Sequence, residues 1–139
     1  MEVVLASLES VIPYANNPRN NVSAVDHVAA SIQEFGFRQP IVVDQDMVIL
    51  VGHTRLEAAR QLGLESVPIH IATGLTDSQK RAYRIADNRV AQDSKWDEEL
   101  LKIELEDLEL EGYDLEQTGF TLPELDMLMM EKEEEEDED

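Results

Sequence analysis

The sequence predicts a mixed α/β domain, a small mixed sheet wrapped by helices, with an acidic helical extension after it. Three observations predict this. Residues 47–63, MVILVGHTRLEAARQLG, read as a strand, a one-glycine turn and a short helix. Short apolar, partly β-branched runs alternate with amphipathic helical stretches on either side of that unit. Charge is also divided unevenly. Of a net −20, residues 1–96 carry −2 (11 acids, 9 bases) and residues 97–139 carry −18 (20 acids, 2 lysines). The expected organisation is a domain over 1–96, an acidic helical extension over 97–130 and a disordered acidic tail over 131–139.

In chain order, residues 3–5 form a short strand and 8–12 continue the apolar signal irregularly. Residues 16–21, Asn-Asn-Pro-Arg-Asn-Asn, are turn-rich and contain Arg19. Ser23 caps a helix in which Val25, Val28, Ile32 and Phe35 share a stripe, and Gly36 closes it. Residues 41–43 are a strand, turned back by Asp44, Gln45 and Asp46 into residues 47–51 as a hairpin. Gly52 gives a turn free of side-chain obstruction. Thr54 is the expected N-cap of the next helix, with Glu57 completing a capping box. Leu56, Ala59 and Leu62 fall on one face, and Gly63 stands at C′.

Residues 67–71 are a further strand, with Pro68 placing its start at an edge. Thr76 and Gln79 form a second capping box for a helix whose apolar side is Ala82, Ile85, Ala86 and Val90. Its other side holds Lys80, Arg81, Arg84 and Arg89; for Lys80 and Arg81 a solvated face is the favoured reading. Asp97 caps a helix with Leu101, Leu105 and Leu108 on one side, ending at Gly112. Thr121, Pro123 and Glu124 start a last helix with Leu125, Leu128 and Met129. The run EKEEEEDED that follows is the segment expected to be disordered.

Several classes are excluded. Cysteine is absent, so disulfides, thiolate chemistry and cysteine zinc sites are ruled out. His27, His53 and His70 have no metal-ligand spacing. No apolar run is long enough to span a bilayer and no signal peptide opens the chain, so the expectation is a cytoplasmic protein with no membrane partner. Taken whole, the charge argues against nucleic-acid binding through a basic face. Taken by halves, Arg81, Arg84 and Lys95 recur at near-helical intervals and are candidate DNA contacts.

The unit over 47–63 aims a helix N-terminus out of the sheet with Arg55 in its first turn. Amide groups, the positive end of the helix dipole and a guanidinium together suit a phosphate. On spacing alone an ordinary strand–helix connection, with Arg55 in a surface ion pair, is the favoured reading.

Four elements carry a family resemblance. Asn17-Pro18-Arg19 resembles the first Pro-Arg element of ParB partition proteins. Gly36-Phe37-Arg38-Gln39-Pro40-Ile41-Val42-Val43 resembles their G-x-x-Q-P box and its strand. Gly52-His53-Thr54-Arg55-Leu56-Glu57-Ala58-Ala59 resembles G-E-R-R-x-R-A-A, and Ile85-Ala86-Asp87-Asn88-Arg89 resembles E-N-x-Q-R. The ordered set, over some ninety residues, resembles the ParB N-terminal domain, which shares its fold with sulfiredoxin. The resemblance implies a nucleotide pocket taking CTP or ATP. By position, Gly36, Gln39 and Pro40 border the nucleotide, Gly52, His53, Thr54 and Arg55 cradle the triphosphate, and Arg19 and Arg89 close over it. Asp87 and Asn88 stand where the family holds magnesium. With the resemblance added, the functional reading of Arg55 gains the upper hand, while Gln39 and Asn88 stay open between this role and local capping.

The departures are specific. His53 and Thr54 replace a Glu-Arg pair and Glu57 replaces a third base, so a triphosphate meets less positive charge. Asp87-Asn88-Arg89 lacks the family glutamine. Sulfiredoxin activity is excluded, because His53 stands where its cysteine belongs. The continuation lacks a basic recognition helix, and LTDSQKRAYRIADNR (75–89), then WDEELL (96–101), then GYDLEQTGF (112–120) more closely resemble the ParB-like module of phage and mobile-element proteins, often joined to a DNA methyltransferase. The resemblance therefore implies a nucleotide-binding module working with DNA or a DNA-bound protein such as a methyltransferase, and a homodimer. The alternatives are a metal-dependent nuclease, a small kinase or NTPase, and an acidic DNA mimic whose leucine stripes seek a partner surface.

Overall fold

The structure, a computed structural model, describes residues 1–17, 22–93 and 95–137. It divides into two compact units, Met1–Ser94 and Lys95–Asp139.

In the first unit, strands β1 (Val4–Ser7), β2 (Ile41–Val43), β3 (Ile49–Val51) and β4 (Ser66–Ile71) form one mixed sheet in the order β1-β4-β2-β3. β1 and β3 run antiparallel to their neighbours, whereas β2 and β4 are parallel, with Ile41 opposite Ile69 and Val43 opposite Ile71. The parallel pair is joined through helix α2 (His53–Leu62), the crossover that such a pair needs. Ile41, Val43, Ile49, Leu56, Ala59, Val67 and Ile69, with Val11, make the core. Helix α1 (Val22–Phe35) packs on α2, and helix α3 (Asp77–Asp93) packs on β3.

Several sequence expectations shift. α1 spans Val22–Phe35, so Ser23 lies within it by position. The hairpin turn is longer than expected: Met47 sits at φ 67° and the strand starts at Ile49, after a lone parallel bridge between Ile12 and Val48. The carboxylate of Asp44 organises this turn, accepting from the amides of Asp46 at 2.9 Å and Val48 at 3.0 Å. β4 is an inner strand, but its start is at an edge as Pro68 predicts: residues 66–68 pair with β1 alone, and the ladder to β2 begins only at Ile69.

In the second unit, α4 (Glu98–Leu110) starts at Asp97, whose side chain accepts from the Leu100 amide at 3.1 Å, as its N-cap position predicts. α5 (Leu122–Asp137) opens with a reciprocal Thr121–Glu124 capping box. Leu105, Leu115 and Leu125 form a small core with Phe120, Leu128 and Met129 around them, and the rings of Trp96 and Phe120 lie 5.6 Å apart. The tail expected to be disordered from residue 131 is instead helical to Asp137. Glutamate and lysine are good helix formers, and here they extend a helix already nucleated by its cap. No helix among the described residues is long and apolar enough to cross a membrane.

Candidate functional site

α2 begins two residues earlier than its sequence suggests. Gly52 is the N-cap residue, at φ 113°, and no side chain caps the helix. A Cβ at Gly52 would stand 3.3 Å from the Ile41 Cα and 3.2 Å from its Cγ1, so conformation and packing both call for glycine there. Thr54 is consequently in the first turn rather than at the cap. Glu57 instead pairs with Arg60 at 2.7 Å. The helical ladder starts with the Leu56 amide on the Gly52 carbonyl, so the amides of residues 53–55 precede it at the dipole's positive end. Gly63 closes the helix in the left-handed conformation, as expected.

The imidazole of His53 is turned toward Tyr14, whose amide donates to His53 Nε2 at 3.0 Å. Nε2 must therefore be unprotonated. Burial, reinforced by the charge of Arg84, holds the His53 pKa below its usual value, although Glu57 opposes this. Arg55 donates through Nη2 to Gln39 Oε1. Burial lowers the Arg55 pKa and the charge of Asp87 works against that, so the guanidinium remains cationic near neutrality.

The opposite wall is α3, and here the sequence reading inverts. The Thr76–Gln79 capping box is present, with bonds of 2.9 and 3.1 Å. Yet Ala82, Ile85 and Ala86 face solvent, Ile85 being 62% exposed, whereas Lys80, Arg84 and Asn88 turn inward. Lys80 is no solvated residue: its Nζ lies 3.4 Å from the buried carboxylate of Asp44. Burial would raise the Asp44 pKa, but the Val48 and Asp46 amides and Lys80 outweigh it and hold the group below the usual carboxylate value. Arg84 cannot serve as a surface DNA contact in this fold. It is 6% exposed, donates through Nε to the Ile49 carbonyl at 2.9 Å, and stacks 3.6 Å over the Tyr14 ring. Arg81 and Lys95 are exposed, on separate units.

Between these walls lies a cleft of about 220 Å³. Gly52, His53, Thr54 and Arg55 line it from α2, Arg84, Asp87 and Asn88 from α3, and Asn17, Ala24 and Val28 from the N-terminal segment and α1. A second hollow of about 290 Å³ shares Arg55 and Val28 with it, and is walled by Ile32, Phe35, Gly36, Phe37 and Gln39. Pro40 and Arg89 line neither hollow, and Arg19 lies outside the described residues. Sequence reasoning missed Tyr14, which holds Arg84 from behind, and gave Arg84 a different role, that of a DNA contact. The only signal for Arg84 was its four-residue spacing from Lys80 and Asn88, a polar stripe at helical period.

An obligate glycine, an uncapped helix N-terminus, an arginine beside it and an Asp-Asn pair opposite define an α/β module with an anion-receptive cleft. The chain belongs to the ParB N-terminal domain family, which matches residues 1–89, and residues 99–139 match the ParB-methyltransferase HTH domain. The latter match agrees with the resemblance to the methyltransferase-joined ParB-like module and adds a helix-turn-helix relation that the absence of basic charge had hidden.

Over 82 residues the chain is 37% identical to the ParB-like nuclease domain-containing protein YnaK of Escherichia coli (strain K12), covering 58% of this chain and 94% of that protein. It is 33% identical over 73 residues to a probable chromosome-partitioning protein ParB of Campylobacter jejuni, covering 49% of this chain but only 26% of that protein. Among solved structures, C-terminally truncated ParB from Caulobacter crescentus complexed with CTP-gamma-S matches with a TM-score of 0.66 at 24% identity. That match covers 87% of this chain and 67% of that one. Sulfiredoxin from Arabidopsis thaliana matches with a TM-score of 0.50 at 28% identity, covering 60% of this chain and 97% of that one. The shared fold is thus that of ParB and sulfiredoxin.

Proposed function

We propose that the first unit binds a nucleoside triphosphate, CTP or ATP, and that the chain works as a nucleotide-responsive ParB module alongside DNA-modifying or DNA-processing machinery of a phage or mobile element. One observation carries the reading. Gly52 to Arg55 and Asp87 with Asn88, more than thirty residues apart in sequence, line one cleft in front of an uncapped helix N-terminus. The phosphates would sit on the amides of residues 53–55 and on Arg55. Gln39, already bonded to Arg55, and Gly36 in the adjoining hollow would border the rest of the nucleotide. Arg19, Pro40 and Arg89 keep their family roles only as part of this proposal. Asp87 and Asn88 offer one carboxylate and one amide oxygen, a donor set that fits magnesium when phosphates and water complete the shell. The metal would neutralise phosphate charge.

The CTP analogue bound by the Caulobacter protein and the methyltransferase association named in the second family match support the reading. On the same family relation the chain would act as a homodimer. The acidic unit would meet a protein partner rather than duplex phosphates, since it holds 20 acids against 2 lysines. A nuclease gains less support: it needs clustered carboxylates around metal, and no group of three His, Asp or Glu side chains suited to a metal comes together among the described residues. Calorimetric titration of the chain with CTP, ATP and GTP, each with magnesium, tests the proposal. Saturable binding of CTP or ATP is the expected result, and no heat from any of the three would overturn it.

A further inference from the structure

Resting on that reading of the cleft, we infer that Arg84 is the deep anion contact of the site: its Nη donors take a phosphate group of the ligand at the β3 end of the cleft, supplying positive charge that α2 lacks. The geometry has three parts. Arg84 is more than nine-tenths buried, held by the Ile49 carbonyl through Nε and by the Tyr14 ring against its face. Those contacts leave the Nη hydrogens to be satisfied. Among the described residues no ion pair joins Arg84 to a carboxylate, and no buried side-chain nitrogen lacks a hydrogen-bond partner. The Nη groups therefore open onto the cleft, whose wall Arg84 forms.

A buried guanidinium without a counter-charge is strongly unfavourable unless an anion answers it. Asp87, the carboxylate among the residues that line the cleft, already acts on Arg55. His53 has no anionic form to offer, and its Nε2 is already taken by the Tyr14 amide. A planar fork set by an aromatic face pairs bidentately with phosphate oxygens, which is what arginine does better than lysine. With His53, Thr54 and Glu57 on α2 providing no cation, Arg55 acts alone on that wall, and Arg84 on α3 restores a second charge from across the cleft.

The test uses the full chain and two probes, CTP with magnesium and inorganic tripolyphosphate. Arg84→Met should weaken both by roughly tenfold to a hundredfold, the range for a lost charge-assisted hydrogen bond, while Arg84→Lys recovers part of the loss. Equal affinities for wild type and Arg84→Met would overturn the inference. Since Arg84→Met also removes the bond to Ile49 and can unfold the unit, a second measurement uses the wild type. Tripolyphosphate should shift the NMR resonance of the Arg84 Nε–H along with the amides of residues 53–55. Movement of the amides alone would overturn the inference and leave the nucleotide reading standing. Binding of tripolyphosphate with an Arg84 shift but no binding of any nucleotide would do the reverse. Failure of both probes on the wild type would end both.

Discussion

The two helices that wall the cleft are packed by opposite means. α2 buries Leu56, Ala58 and Ala59 completely and turns its polar side outward. α3 turns Lys80, Arg84 and Asn88 inward and leaves Ile85 and Tyr83 exposed. The difference teaches how a polar helix face comes to be buried. Each inward group of α3 has a named partner or the cleft itself: Asp44 for Lys80, Ile49 and Tyr14 for Arg84, and the cleft for Asn88. Burial without partners would have cost more than the apolar alternative returns. A helix that gives up hydrophobic packing in this way holds its polar groups where a ligand can reach them.

The largest effect that would break the comparison is on core packing. Leu56→Ala should cost about 2–5 kcal/mol of stability by leaving a cavity in the sheet–helix core. Ile85→Ala, an apolar position of the same helical periodicity on α3, should change stability by less than about 0.5 kcal/mol. Urea unfolding of both variants measures this, and equal losses would mean that α3 also packs through its apolar side.

Next is the Asp44–Lys80 anchor. Asp44→Asn should destabilise by about 1–2 kcal/mol at pH 7, because a charged acceptor at two amides and an ammonium becomes neutral. The sign follows from linkage. A carboxylate held below its unfolded value of 3.8 contributes stability above that pH and loses it as pH falls through the folded value. His53, also depressed, adds a loss of stability as pH falls below 6.5, because only the unfolded chain takes up its proton. Melting temperature against pH should therefore decline in both windows. Asp44→Asn should flatten only the lower one.

Smaller still is the effect of magnesium: chelation should weaken nucleotide binding if Asp87 and Asn88 share a cation with the phosphates. Equal affinity in EDTA would remove the metal and leave the anion site. The smallest effect concerns the acidic unit, a tethered polyanion that competes at high effective concentration for whatever basic surface precedes it. Removing residues 131–139 should raise non-specific DNA affinity at low salt, and removing everything after Trp96 should raise it further. Fluorescence anisotropy with a labelled duplex at two salt concentrations measures it. With Arg84 buried, Arg81 and Lys95 remain as the proposed contacts, so the rise should be modest, and equal binding by all three chains would refute autoinhibition.

Where structure follows from local chemistry, the sequence was legible. Capping residues at Asp97, Thr76 and Thr121 and the C′ glycine at Gly63 behave as their spacing predicts. The turn of residues 47–63 and its company with Asp87 were legible through the family pattern. What was not legible depends on partners distant in sequence. Thr54 has the credentials of an N-cap, but the fit of Gly52 against Ile41 sets the helix start two residues earlier. Arg84 looked like a surface cation because nothing local announces Tyr14 or Ile49, 70 and 35 residues away. The helix-turn-helix relationship of residues 99–139 was hidden by the expectation that such a motif must be basic.

The central claim is that the N-terminus of α2 holds a nucleotide through Arg55 while contributing little to the fold. Unfolding of wild type and Arg55→Ala, with and without CTP and magnesium, tests it most directly. At a hundred times its dissociation constant the nucleotide should stabilise the wild type by about 2.7 kcal/mol. It should leave Arg55→Ala unstabilised, with the ligand-free stabilities of the two chains nearly equal. A variant that unfolds without ligand, or one that CTP stabilises as much as it does the wild type, would contradict the account.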